Sequence, residues 1–170
     1  MLRRIQQKKN QSLGGNFAIV ASRYNARYVN AMLSAAGTEL RRAQVSDLRI
    51  IRVPGAFEIP LAVKRLARAA HRGSGTSLSA IICLGVILRG QTVHAAHIGE
   101  AVSRALMDIQ LIHEIPVVHE VLLLENAEQA RVRCLDPKHN RGTEAAQTAL
   151  AMARVMADLN IQAGKIIESK

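Results

Sequence analysis

Leu48-Arg49-Ile50-Ile51-Arg52-Val53 runs into Pro54-Gly55-Ala56-Phe57-Glu58-Ile59, and Pro60 then opens a stretch that continues to Arg72. The first segment reads as a β-strand, whereas Pro60 to Arg72 carries Leu61, Ala62, Leu66 and Ala69 near helical spacing. Pro54 has no N–H for a sheet ladder and stops the strand. Gly55 lets the chain approach a ligand closely. Pro60 is tolerated in a first helical turn, where its missing N–H leaves no hydrogen bond unmade. Free backbone N–H groups and the Glu58 carboxylate therefore gather at a strand's carboxyl end, where open α/β sheets bind ligands. This pattern predicts a site rather than a linker.

Working outward, Phe17-Ala18-Ile19-Val20-Ala21 is a short continuous apolar run, the mark of a buried parallel strand. A helix is expected from about Ala26 to Ala43, with Val29, Met32, Leu33, Ala36 and Leu40 on one face. His71 to Ser77 reads as a Gly/Ser loop. Ala80 to Leu84 is the third strand, and a long turn leads to a helix from about Val93 to Leu111. Pro116 to Leu122 is the fourth strand. Asn126 can cap a short helix to Arg133, with Gln129 placed for a capping box. A polar loop, Asp136 to Gly142, precedes a last helix from Glu144 to about Leu159. Strands alternate with helices throughout, which predicts a right-handed β-α-β series. The expected fold is α/β, a three-layer α/β/α sandwich with a four-stranded parallel sheet, flavodoxin-like in type. Residues 1–16 are expected to be a basic, disordered arm, 17–160 a single domain and 161–170 a tail. Tyr24-Asn25, Gly55 to Glu58, Gly85 to His94 and Leu124 to Asn126 each follow a strand, so they converge on one rim.

A chain of 170 residues is long enough for one domain with a proper core. Tryptophan is absent and there are only two phenylalanines and two tyrosines, so the core packs on aliphatics and Tyr24 and Phe57 stand out at the rim. The net charge of +10 favours anions in general. No zinc-finger spacing or aromatic–basic RNA motif accompanies it. Much of the surplus lies in Met1 to Gly15 and on helix faces, at Arg41, Arg42, Arg65 and Arg68, so a solvated surface is expected and a nucleic-acid partner is not. Cys83 and Cys134 have no CxxC partner and fit a reducing, cytoplasmic compartment. The amino-terminal residues lack the apolar core of a secretory signal, and no apolar run approaches membrane-spanning length.

Gly85 to His94 places two glycines around an apolar turn, with a helix beginning near Gln91 or Thr92. Free N–H groups and a Thr hydroxyl at such a start suit phosphate or carboxylate. The Gly-Lys-Ser/Thr ending of a Walker loop is missing, and the same glycines would equally ease a strand-to-helix turn. His94, in the first turn, can move protons near neutral pH, or can be an ordinary capping histidine. His94, His97 and Glu100 share a spacing of three, but there is no HExxH pattern and no cysteine nearby, so no metal is expected. His71, His113 and His139 read as surface histidines.

At these residues the chain resembles the lumazine synthase (6,7-dimethyl-8-ribityllumazine synthase) family. Val53 to Pro60 matches that family's most recognisable motif without a substitution, and Arg23-Tyr24-Asn25 resembles its aromatic-Asn motif after the first strand. Leu84 to His94 resembles its third-strand loop, and Glu125 to Ala130 with Asn140-Arg141-Gly142 its later segments. The resemblance implies condensation of 5-amino-6-(D-ribitylamino)uracil with 3,4-dihydroxy-2-butanone 4-phosphate, releasing phosphate and water, in the penultimate step of riboflavin biosynthesis. It implies that Tyr24 stacks on the pyrimidine and that groups near Ala56, Phe57, Ile87 and Leu88, with Glu58, hold the uracil edge and ribityl hydroxyls. Gln91, Thr92 and Arg133 would hold the phosphate and His94 would shuttle protons, with no metal or organic cofactor. Family members form pentamers, some paired as decamers and others assembled as sixty-subunit shells, so Arg133 and His119 would reach across from the next chain. Three positions depart from the pattern. Ala95-Ala96 replace an aromatic residue and an acid, His119 replaces a stacking aromatic, and Arg141 replaces a lysine. These departures raise the alternatives of a catalytically weak or inactive lumazine-binding or shell-forming paralogue. Charge alone would suggest a polyanion-binding shell, and the fold alone a flavin-binding module.

Overall fold

In the computed structural model, β1 (Asn16–Ser22), β2 (Asp47–Val53), β3 (Ala80–Leu88) and β4 (Val117–Leu124) form one parallel sheet in the order β2-β1-β3-β4. The helices are α1 (Ala26–Arg42), α2 (Ile59–His71), α3 (His94–His113), α4 (Ala127–Ala130) and α5 (Arg141–Glu168), with a π-helical turn at Arg131–Leu135. Residues 14–71 and 77–168 are described. Most of the expected basic arm, the middle of the His71–Ser77 loop and the last residues of the expected tail lie outside them.

Alternation along β1 explains the layers. Phe17, Ile19 and Ala21 point to one face, where Val29, Met32 and Leu40 of α1 and Ala146 and Leu150 of α5 cover them. Ala18 and Val20 point to the other face, against Val63 and Ala67 of α2 and Val102 and Leu106 of α3. Both faces of the central strand are thus dry, as the continuous apolar run required. The expected three-layer α/β/α sandwich with a four-stranded parallel sheet is the fold observed.

Three boundaries differ from the periodicity. β3 does not end at Leu84 but runs to Leu88, so Gly85 lies within the strand rather than opening a turn. A Cβ there would stand 3.0 Å from Val121 Cγ1 and 3.3 Å from Ile59 Cδ1. The glycine makes room for the first residue of α2. The helix capped by Asn126 is α-helical only to Ala130 and then widens into the π turn that carries Arg133. Asn126 Oδ1 accepts from Gln129 N at 2.9 Å, and Gln129 Oε1 accepts from Glu125 N at 3.0 Å, a capping box shifted by one residue. The last helix starts at Arg141, because Asn140 Oδ1 accepts from Gly142 N at 2.9 Å. It continues to Glu168, well into the stretch expected to be a tail.

Gly142 marks the closest approach of α5 to α1. A Cβ at this position would fall 2.0 Å from the Met32 carbonyl oxygen, and backbone cannot swing aside as a side chain can. Gly142→Ala is therefore expected to lower stability by about 1–3 kcal/mol or more through overpacking. Gly90→Ala, with nothing within 4 Å of the added methyl, should change stability by no more than about 0.5 kcal/mol. Thermal denaturation of the two variants checks the contrast; a Gly142→Ala protein melting with its parent contradicts the packing.

Candidate active site

The rim is assembled by short bonds between loops that follow different strands. Arg23 N donates to Val53 O at 2.9 Å and Tyr24 N to Pro54 O at 3.1 Å, stitching the exit of β1 to the exit of β2. Asn25 adopts a left-handed conformation, φ 54° and ψ 40°, immediately before α1. Asparagine tolerates that region better than most residues. Its Nδ2 donates to Val86 O at 2.8 Å and ties the same loop to β3. Beyond Pro54, Gly55 N donates to Glu58 Oε2 at 2.8 Å and Ile59 N to Ala56 O at 3.2 Å. A Cβ on Gly55 would meet Glu58 Oε2 at 2.9 Å and Tyr24 Cδ2 at 3.3 Å. Gly55 is thus demanded by its own neighbours, which places Tyr24 and Glu58 beside each other.

These loops enclose a cleft of about 540 Å³ lined by Tyr24, Asn25, Gly55, Ala56, Phe57, Glu58, Val86, Ile87, Leu88, His94 and Ile98. It opens between β1 and β3, where the strand order reverses, the position at which doubly wound sheets bind ligands. Tyr24 is 72% exposed and Phe57 61% exposed, so half of the chain's four aromatic side chains stand bare at this one opening. His94 is the first residue of α3, and Glu58 Oε1 has no partner among the described residues. A flat apolar face, a carboxylate and an imidazole in one crevice suit a polar heterocycle whose protons must be moved.

Of the residues singled out in the sequence, Tyr24, Ala56, Phe57, Glu58, Ile87, Leu88 and His94 line this cleft. Gln91 and Thr92 are exposed on the loop just before it and do not line it, and no side-chain bond caps α3. His119 lies elsewhere. It pairs with Cys83 in the sheet register, whereas the rim is reached at Leu88 opposite Leu124. Five residues of strand, 83 to 88, separate them, about 16 Å at strand rise. Arg133 does not line the cleft either; its π turn packs through Ala130 and Cys134 into the cluster covered by α1 and α5. Its exposed guanidinium has no partner among the described residues. Asn25 and Val86, placed on the rim by the sequence but given no role of their own, and Ile98, which it did not single out, complete the lining. The left-handed tendency of asparagine was the available signal for a role of the first, while that of Val86 was hidden by the underestimated length of β3.

The three departures also find places. Ala95 is buried and Ala96 half-buried, and neither brings a carboxylate to His94. His97 and Glu100 line a separate groove on the outer face of α3, where Glu100 pairs with Arg104 at 3.6 Å. His119 Nε2 lies 3.0 Å from Ser103 Oγ, which itself donates to Gly99 O at 2.7 Å. Partial burial beside α3 pushes the His119 pKa down although the residue keeps an exposed edge, opposed by a bond to its own backbone. Arg141 is engaged by Glu120 and Glu144. Among the described residues no cluster of three or more His, Cys, Asp or Glu could hold a metal ion.

Fold and rim together define a flavodoxin-like α/β protein with a ligand cleft at the switch point of a parallel sheet. The model of the 6,7-dimethyl-8-ribityllumazine synthase family matches residues 14–157, and the chain belongs to that family. A 6,7-dimethyl-8-ribityllumazine synthase of Xanthomonas euvesicatoria pv. vesicatoria is 37% identical over 142 residues, covering 82% of this chain and 88% of the relative. One of Stenotrophomonas maltophilia is 39% identical over 145 residues, covering 84% and 90%.

The state of His119 has a pH consequence. Its depressed pKa means that the folded chain binds fewer protons there than the unfolded chain does. Its contribution to stability is complete above the ordinary value of 6.5 and is lost as pH falls through the depressed one. The parent should therefore lose more thermal stability between about pH 7 and pH 5 than a His119→Phe variant. Identical pH slopes for the two proteins contradict this.

Proposed function

We propose that this chain is a 6,7-dimethyl-8-ribityllumazine synthase, joining 5-amino-6-(D-ribitylamino)uracil to 3,4-dihydroxy-2-butanone 4-phosphate with loss of phosphate and water, the penultimate step of riboflavin biosynthesis. The observation that carries the reading is the switch-point cleft, in which Tyr24, Glu58 and His94 meet within a chain of that family. Tyr24 offers its face to the pyrimidine, the task for which an exposed ring at a cleft mouth is suited. Main-chain groups of Ala56, Phe57, Ile87 and Leu88, with the Glu58 carboxylate, hold the uracil edge and the ribityl hydroxyls. Main-chain N–H groups at Gln91 and Thr92 and the planar fork of Arg133 hold the phosphate. His94 moves protons as the uracil's amino group condenses with the ketone and again as phosphate departs. Much of the acceleration comes from holding two reactive partners together.

His119 and Arg133 do not line the cleft of their own chain, which supports a site completed by a neighbouring subunit. Leu61, Val93, Met107, Leu111 and Ile112 are each more than half exposed, more apolar surface than an isolated subunit usefully shows water. The assembly we propose is a ring with five subunits as its unit, alone, paired or built into a sixty-subunit shell. Its partners are then small molecules and copies of itself; none of the described helices is long and apolar enough to cross a membrane. Both thiols are free and buried, which fits a cytoplasmic setting.

Purified protein mixed with both substrates, without added metal, is expected to form the lumazine above the uncatalysed rate, followed by absorbance and fluorescence. Arg133→Ala should raise the KM for the butanone phosphate strongly. His94→Ala should mainly lower kcat, by roughly ten- to a hundredfold. No product above background sinks the assignment, and unchanged butanone phosphate kinetics in Arg133→Ala sinks the phosphate site.

Light scattering should give a mass that is a multiple of five chains, with activity lost when the ring is dissociated. A fully active species with the mass of one chain refutes the shared site.

A further inference from the structure

Glu120 is the only buried acidic side chain among the described residues, 5% exposed on β4. Its carboxylate takes both arms of the Arg141 guanidinium, Oε1 from Nη2 at 2.7 Å and Oε2 from Nε at 3.1 Å. Arg141 Nη1 also donates to Glu144. The start of α5 is thereby fixed to β4 across the whole of α4 and the π turn. One residue earlier stands Asn140, 7% exposed, which divides its amide between two backbones. Its Oδ1 accepts from Gly142 N at 2.9 Å, and its Nδ2 donates to the carbonyl of Cys134, the residue that follows Arg133.

An ion pair with its carboxylate buried is a poor device for stability alone, because an apolar pair of the same volume often does as well. Two carboxylates on Arg141 also mean that its charge is spent inside the protein, leaving Arg133 as the cation of this region with no protein partner among the described residues. Arg133 is close enough for its charge to act on the Glu120 carboxylate, whose pKa is raised by burial and lowered by Arg141 and Arg133. Arg133 leaves a π turn closed by Asp136 N on Arg131 O at 3.2 Å, a wider turn than the α-helix and one often found at functional sites. Whatever holds the backbone of that turn decides where the guanidinium points.

We propose that Glu120 and Asn140 are positioning residues that aim Arg133 at the substrate phosphate: Glu120 anchors Arg141 and the head of α5, and Asn140 transmits that anchor to the Cys134 carbonyl. The inference rests on the reading of Arg133 as the phosphate ligand. It assigns a role to the acid buried on β4.

The test compares the parent, Glu120→Gln, the double variant Glu120→Gln/Arg141→Met, Asn140→Ala and Arg133→Ala, using both substrates and inorganic phosphate as an inhibitor. The double variant removes both charges while keeping volume, so a folded protein without the clamp is available even where a single change leaves a lone buried charge. Expected for the clamp variants is a KM for the butanone phosphate raised about threefold to tenfold, with phosphate inhibition weakened by a similar factor. The KM for ribitylaminouracil should rise by a smaller factor than that for the butanone phosphate, since the clamp acts through Arg133 and none of its residues lines the cleft of its own chain. A brace without a positioning role would lower the melting temperature and move neither phosphate readout. A folded double variant with unchanged butanone phosphate KM and unchanged phosphate inhibition, while Arg133→Ala alters both, overturns the proposal and leaves the phosphate site standing. Should Arg133→Ala itself leave both unchanged in an active enzyme, the phosphate reading of Arg133 fails and this proposal falls with it.

Discussion

Parallel pairing of all four strands is the constraint from which the rest of the molecule follows. A parallel strand cannot return through a hairpin, so each connection crosses a face of the sheet as a helix, and every strand leaves the sheet at the same rim. β1 and β3 are buried on both sides, and Phe17 to Ala21 have no exposed surface at all. Because the order β2-β1-β3-β4 reverses direction of growth between β1 and β3, α1 and α3 leave the rim toward opposite faces and a crevice opens between them. The cleft is a consequence of topology. What the loops add is its lining, fixed by Asn25 on Val86 and by Tyr24 on Pro54.

Local chemistry makes much of this legible in the sequence. The apolar run of β1, the proline that ends β2 and the proline that begins α2 each act on their own backbone, so sequence and structure agree there. Disagreement begins where a residue answers to something distant. Gly85 reads as the opening of a turn because a glycine in an apolar run carries no sign of what lies above it; Ile59 and Val121 decide its place. Gly142 had only a turn-like context in the sequence, yet it exists to let α5 reach the Met32 carbonyl. The convergence of Tyr24, Glu58, Ile87 and His94 could be inferred from strand order. The separation of His119 from them required the register of β3 on β4. The pairing of Glu120 with Arg141 joins positions 21 apart and has no periodic signature.

The charge surplus resolves in the same way. Summed over the chain, +10 suggests a hunger for polyanions. On the surface, Arg42, Arg89, Arg104 and Arg131 each have a carboxylate within ion-pair distance, on Glu39, Glu125, Glu100 and Glu128. Such exposed pairs contribute little to stability, about 0–1 kcal/mol apiece. Their effect is to quench the local field, so that these helix faces are weaker attractors of phosphate backbones than the count of arginines implies. Arg141 is quenched within the protein and Arg133 is not.

The geometry of β4 bears on why a single chain is an unfinished enzyme under the proposed function. For His119 to reach the cleft beside it, β4 would have to slide about 16 Å along β3, and every step of one residue would turn its buried face outward. The register is held by Val117, Val118 and Val121 in the core layers, so that slide is closed to the fold. A second copy meets no such obstacle. In the proposed ring it would present its own His119, which is exposed on the edge strand with Nε2 3.0 Å from Ser103 Oγ. The bare rings of Tyr24 and Phe57 would then be covered by the partner that completes the site, and burial of a ring of that size returns about 1.5–3 kcal/mol. Assembly and catalysis would in that case draw on the same surface, so the exposed aromatics at the rim and the remote position of His119 are two aspects of one arrangement.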